Sequence, residues 1–175
     1  VKKNWVLILL VFFMISCQSD KNNINRIDDF SEKELKEKLI EANKIAAQKE
    51  SIQIDGYVSR RKLDVTKTGT GLRYHVYDEG NGEKAENGKI AVVKYSVSLI
   101  DGTICYSTKD NEVEEFIIGK DNVESGLHEG ITYLKVGDKA KIIIPSYLAH
   151  GLAGDFKKIP VRSTIIYDIE LIDLK

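Results

Sequence analysis

The chain has 175 residues, enough for one globular domain plus appendages. Lysine and arginine nearly balance aspartate and glutamate, leaving a net charge of −1, so no strong pull toward nucleic acid or acidic lipid is expected. Hydrophobic residues make up 42%, an ordinary share for a folded domain, and His75, His128 and His150 lie too far apart for a metal-ligand spacing. No cofactor is implied.

The sequence opens on basic Val1-Lys2-Lys3, then an apolar run from Trp5 to Ile15, then Ser16-Cys17. A positive start, a short apolar core and a small residue before the cut form a secretory signal. The apolar run is shorter than the about 20 residues a membrane span needs. A cysteine directly after the small residue resembles a bacterial lipoprotein box, with residues 1–16 removed and Cys17 the lipidated first residue. Met14 departs from the leucine usual three places before the cysteine. An ordinary signal peptide with an incidental cysteine is the competing reading. With lipid on Cys17, Cys105 has no partner for a disulfide. Residues 17–30 are polar and read as a flexible tether.

Ser31-Glu32-Lys33-Glu34 is a capping box. Leu35, Leu39, Ala42 and Ala46 share a stripe, while Glu32/Lys36 and Glu34/Lys38 form i,i+4 pairs. The pattern predicts a helix over Glu32 to Lys49 and a second short helical stretch over Ile52 to Lys62, within a helical segment 31–64. That segment packs on the following domain or stands partly solvated; the stripe is thin for a coiled-coil arm.

From Thr66 the periodicity turns to β. Leu72, Tyr74 and Val76 alternate with Arg73, His75 and Tyr77, and Gly80-Asn81-Gly82 and Glu86-Asn87-Gly88 are turn sequences. Ala91, Val93, Tyr95, Val97 and Leu99 form a long alternating strand that Asp101-Gly102 turns into Thr103 to Ser107. Phe116 to Ile118 follows a polar loop. Val123, Leu127, Ile131 and Leu134 share one helical face, with Asp121 or Asn122 as cap and Val136-Gly137-Asp138 as the closing turn. Lys139 to Ile144 puts Ala140, Ile142 and Ile144 on a buried side until Pro145, which has no amide hydrogen for the ladder. Ile165, Tyr167, Ile169 and Leu171 line one face of a last strand. Strands wrapped on one short helix give an α+β domain over 66–175, with one sheet face packed and the other largely wet.

Three motifs then carry a resemblance: Val-x-x-Gly-Leu-x-x-Gly at Val123 to Gly130, the Val-Gly-Asp-Lys-Ala turn, and Ile-Pro-Ser-Tyr-Leu-Ala-His-Gly at Ile144 to Gly151. With the order and spacing on both sides, the C-terminal part of the chain resembles the FKBP-type peptidyl-prolyl isomerases. Cys-Tyr-Ser at Cys105 to Ser107 and Leu-Ala-His-Gly-Leu-Ala-Gly-Asp at Leu148 to Asp155 look most like the family's gliding-motility-associated lipoprotein branch. The resemblance implies an antiparallel sheet half-wrapped around one short helix, preceded here by the N-terminal helix. It implies a cleft in which Tyr95, Tyr106, His150 and Tyr167 are catalytic and Cys105, Phe116, Val123, Glu124, Leu127 and Ile159 bind substrate. Cys105-Tyr106 stands where the family has a Phe-Asp pair, Leu127 where Trp is common and His150 where Tyr is usual. Glu114 and Glu124 replace apolar rim positions. The missing carboxylate at Tyr106 is the departure that most weakens catalysis, and a histidine donor is one whose strength varies around neutral pH.

Each residue also has a plainer reading. Tyr95 and Tyr167 lie on the same stripes as Val93 and Ile165 and fit core packing as well as substrate contact. Phe116 is core before it is wall. His150 and Tyr106 sit outside the apolar periodicity and face either a cleft or solvent. Cys105 reads as a small buried hydrophobe without a cationic neighbour, and Lys157-Lys158 as a solvated loop tip.

No nucleophile–base pair, paired-carboxylate site or phosphate loop is visible, as suits a reaction that breaks no bond. Two functions follow as expectations. One is a membrane-anchored prolyl isomerase acting on proline-containing exported polypeptides in the cell envelope, held by lipid on Cys17. The other is a non-catalytic scaffold lipoprotein that grips proline-containing partners in a gliding or secretion complex. Neither involves nucleic acid, and the oligomeric state is open.

Overall fold

A computed structural model describes residues 31–109 and 112–175; the proposed signal, Cys17 and the tether lie outside the described residues. The chain divides into two units, Val1–Ala42 and Asn43–Lys175, with the boundary inside the first helix.

That helix, α1, runs unbroken over Glu32–Arg61. In the first unit its start is the expected capping box: the Ser31 N–H donates to Glu34 Oε2 at 3.0 Å, and the Glu34 N–H to Ser31 Oγ at 3.3 Å. The expected break between Lys49 and Ile52 does not occur. Ser51 and Gly56 are weak helix formers, but packing of the surrounding turn outweighs a propensity cost of about 1 kcal/mol. That turn buries Glu50, Ile54 and Tyr57.

In the second unit, strands β1 (Thr66–Lys67), β2 (Arg73–Asp78), β3 (Ile90–Leu99), β4 (Ile104–Ser107), β5 (Glu114–Ile117), β6 (Lys139–Ile144) and β7 (Ile165–Leu174) form one antiparallel sheet. Their order is β1-β2-β6-β7-β3-β4, with β5 on the same edge of β3 as β4. A seven-residue helix, α2 (Ser125–Ile131), packs on the concave side. Two glycines let it approach: a Cβ on Gly126 would stand 2.3 Å from Ile144 Cγ2, and one on Gly130 would stand 2.7 Å from Ile142 Cγ2. Leu127, Ile131 and Leu134 then join Ala140, Ile142, Ile144, Ile165 and Ile169 in the core. Each fully buried aliphatic side chain contributes roughly 1.5–3 kcal/mol of transfer free energy.

Asp121 does not cap α2. Glu124 holds the cap position without a side-chain bond to the helix N–H groups, and Asp121 instead accepts the Ile117 N–H at 2.7 Å. The turn into β6 is fixed by Asp138, whose two oxygens accept the Gly80 and Lys135 N–H groups.

The other face of the sheet is covered at one end. Ile143 and Ile166, the residues between the inward-facing ones, pack with Ile54 and Tyr57 of α1 into a second cluster, while Lys94, Ser96, Lys141 and Asp168 of that face stay part-exposed. Arg73, expected to face solvent, is 1% exposed there; it donates to Ser51 Oγ and to Asp55, the latter at 2.6 Å.

Candidate active site

Register places the aromatic residues. Val97 of β3 pairs with Tyr167 of β7, and Tyr95 with Ile169, so Tyr95 and Tyr167 are diagonal neighbours on one face with ring centroids 5.4 Å apart. These rings, Val97 and Ile159 form the inner surface of a cleft of about 500 Å³. Val123 and Glu124 edge it from the start of α2, Tyr106 from β4, and His150 and Asp155 from the segment between β6 and β7.

The polar atoms are organised around carboxylates. Glu124 accepts the Tyr167 hydroxyl on Oε2 at 2.9 Å and meets His150 Nε2 through Oε1 at 2.9 Å. Tyr95 donates its hydroxyl to Glu114 Oε2 at 2.8 Å. Tyr106 donates to Asp155 Oδ2, and Asp155 Oδ1 gathers the N–H groups of Lys157, Lys158 and Ile159 at 2.8, 2.9 and 2.8 Å. Burial, then the charge of Glu124 and its hydrogen bond, push the Tyr167 hydroxyl far up. Burial followed by Glu114 does the same for Tyr95, and the Asp155 hydrogen bond leads the rise at Tyr106. All three hydroxyls therefore keep their protons and act as donors, each to a carboxylate.

The structure brings together Tyr95, Tyr106, Val123, Glu124, His150, Ile159 and Tyr167. Cys105, Phe116 and Leu127 are not on the lining: at 2%, 5% and 3% exposed they belong to the core beneath it, and Phe116 meets the His128 ring edge-on. Phe116 pairs with Ala91 in the sheet, and Glu114, two residues earlier on the same face, pairs with Val93, so Glu114 is the β5 residue that reaches Tyr95.

Two further expectations need correction. Cys105 has a cationic neighbour, since Lys158 Nζ donates to the Cys105 carbonyl at 2.7 Å and stands 5.0 Å from the centre of the Tyr106 ring. Lys157 lines the cleft, and both lysines are exposed, so the tip is solvated as expected while its side chains border the site. Burial still pushes the Cys105 thiol up. Asp155 was not anticipated. Its signal was an aspartate opening a loop, a residue type that accepts backbone N–H groups a few places on. The site does hold a carboxylate at Tyr106, supplied from across the cleft.

A short helix packed in a half-wrapped antiparallel sheet, with a tyrosine-walled cleft between them, defines an α+β domain of prolyl-isomerase type. A family model for the FKBP-type peptidyl-prolyl cis-trans isomerase matches residues 81–172. The chain belongs to that family. It is 38% identical over 115 residues to the FKBP-type peptidyl-prolyl cis-trans isomerase FkpA of Escherichia coli (strain K12), covering 66% of this chain and 42% of that protein. It is 34% identical over 113 residues to a probable FkpA of Neisseria meningitidis serogroup B, covering 65% and 41%. The chain thus spans about two fifths of the length of these relatives. Among solved structures, FkpA from Escherichia coli matches with a TM-score of 0.64 and 33% identity, over 84% of this chain and 74% of that one. A peptidyl-prolyl cis-trans isomerase from Pseudomonas syringae matches with a TM-score of 0.65 and 25% identity, over 75% and 95%.

Proposed function

We propose that the chain catalyses cis–trans isomerisation of X–Pro bonds in exported polypeptides, and does so from a lipid anchor at Cys17. The observation that supports catalysis most is the paired Tyr95 and Tyr167 rings over Val97 and Ile159, which give a cleft of about 500 Å³ an aromatic and aliphatic inner surface. The barrier to rotation about the imide C–N bond is about 18–20 kcal/mol, and a polar solvent supports the planar, charge-separated form. Excluding water along one face of the imide and holding it twisted favours the perpendicular transition state without proton transfer. The secretory pattern of residues 1–17 supports the anchored, extracytoplasmic placement. No helix among the described residues is long and apolar enough to cross a membrane.

Proline-limited refolding of a reporter protein tests the activity. Acceleration at substoichiometric amounts, lost in Tyr167→Ala, is expected. A rate equal to the buffer control at one-to-one ratio would remove the catalytic reading. Metabolic labelling with a palmitate analogue, compared with Cys17→Ser, tests the anchor.

One observation favours the second reading, a proline-peptide grip without turnover. Tyr95, Tyr106 and Tyr167 all spend their hydroxyl protons on carboxylates of the chain itself, so none of these donors is turned toward a substrate carbonyl. Tight binding of a proline peptide without exchange cross-peaks between its cis and trans forms would establish that reading.

A further inference from the structure

His150, Asp155 and Ile159 all stand on the segment between β6 and β7, and both feet of that segment are held by one side chain from α1. Glu50 Oε1 accepts the Ser146 N–H at 2.7 Å and the Thr164 hydroxyl at 2.6 Å. Glu50 Oε2 accepts the Ser146 hydroxyl at 2.8 Å. Ser146 follows the end of β6 and Thr164 precedes the start of β7, so the carboxylate pins where the excursion leaves the sheet and where it returns. All three residues are buried, Glu50 at 8% exposed.

The position is costly for a carboxylate. An ionisable group taken from water is tolerated only when donors meet its lone pairs, and these three donors come from nowhere but the two feet of the excursion. The hold passes on toward the cleft. The Ser146 carbonyl accepts the N–H of Ala149 at 3.0 Å and of Gly151 at 2.8 Å, the two residues flanking His150. The Gly151 carbonyl in turn accepts the Arg162 N–H at 2.7 Å, tying the outgoing and returning arms together. Glu50, Ser146 and the backbone around His150 thus form one continuous set of bonds that ends where the imidazole meets Glu124.

We propose that Glu50 is a positioning residue for the cleft: from α1 it fixes the segment 145–164 on the sheet and, through Ser146, sets His150 against Glu124. The kinetic part of this proposal rests on the isomerase reading above; the structural part does not.

The test compares wild type, Glu50→Ala, Glu50→Gln and Ile54→Val in the full chain, the last removing packing one turn further along the same helix. In Glu50→Ala, amide exchange across 147–163 should quicken by at least about tenfold relative to Ile54→Val while β3 and β7 stay protected. Its kcat/KM on an X–Pro peptide should fall roughly ten- to a hundredfold, the size of effect expected from displacing a cleft group by about 1 Å. Glutamine keeps an acceptor oxygen for Ser146 N–H and Thr164 and can donate its amide to Ser146 Oγ, so Glu50→Gln should retain most of the activity. Equal losses in Glu50→Gln and Glu50→Ala would mean that charge, not position, matters, and would overturn the proposal. So would loop exchange in Glu50→Ala matching Ile54→Val. Should Glu50→Ala fail to fold, Ser146→Ala and Thr164→Val remove the donors instead, and unchanged loop exchange in both would be equally fatal. A wild type without turnover would sink the isomerase reading, and the exchange data would still decide the role of Glu50.

Discussion

Tyr106 on β4 donates its hydroxyl to Asp155, 49 residues further on, and so joins one edge of the sheet to the segment that carries His150. Burial alone would raise the Asp155 carboxyl, but that hydroxyl and the N–H groups of Ile159, Lys157 and Lys158 outweigh it and hold the group well below the usual carboxylate range. A carboxyl lowered by folding stabilises the native state at every pH above its unfolded value, about 4, and the contribution drains away as pH falls toward the folded value. Urea midpoints of wild type and Asp155→Asn should therefore differ most near neutrality and converge between about pH 4 and pH 2. A gap that stays constant over that range would show that Asp155 carries no charge-linked stability.

Glu124 gives a second measurement. Tyr167→Phe keeps the ring against Tyr95 but removes a donor from a carboxylate whose side chain is 13% exposed. A loss of roughly 1–3 kcal/mol is expected. In a Glu124→Gln background the same change should cost clearly less, since the charge that most needed the hydroxyl is gone. A double-mutant cycle by urea unfolding reads the coupling directly, and additive losses would mean that the hydroxyl and the carboxylate stabilise independently.

Gly126→Ala tests how tightly α2 is seated. The added methyl meets Ile144 Cγ2 at 2.3 Å and the Leu148 carbonyl at 3.1 Å, so the helix or the sheet has to shift. Destabilisation of about 1–3 kcal/mol is expected from overpacking. Gly69→Ala, where a Cβ meets nothing within 4 Å, serves as the control and should leave the midpoint near wild type.

Cys105 should be slow to label. Burial, then the Asp155 charge, push its thiol up against the smaller opposing pull of Lys158, and the residue is 2% exposed. In a Cys17→Ser background, Ellman's reagent at about pH 8 should react with native protein orders of magnitude more slowly than with protein in urea. Comparable rates would indicate that β4 opens readily.

The long strands were readable from their inward faces, since Ala91, Val93 and Val97, Ala140, Ile142 and Ile144, and Ile165, Tyr167, Ile169 and Leu171 are buried at the period of two that a sheet requires. The cap of α1 was readable because Ser31 and Glu34 act within one turn. What escaped depends on partners distant in sequence. Arg73 alternates outward like any polar strand residue until α1 is laid over it. Ile143 broke the alternation of β6, and three consecutive isoleucines were a sign that both faces are covered. In the cleft, Tyr95, Val123, Glu124, His150 and Tyr167 could be assigned by motif, whereas the Tyr106–Asp155 pair could not. Its two halves meet only after β4 and the segment before β7 have been folded together.

The family match starts at residue 81, well past the turn of α1 that covers Ile143 and Ile166. A fragment trimmed to that limit would present bare isoleucine on the back of its sheet, beside an unpaired β6 edge where β2 had been. Such material should associate with itself in solution, and its behaviour would say little about the intact molecule. For this chain the compact unit that carries the cleft reaches back through the helix to Asn43, and a fragment for isotope labelling or crystallisation begins there.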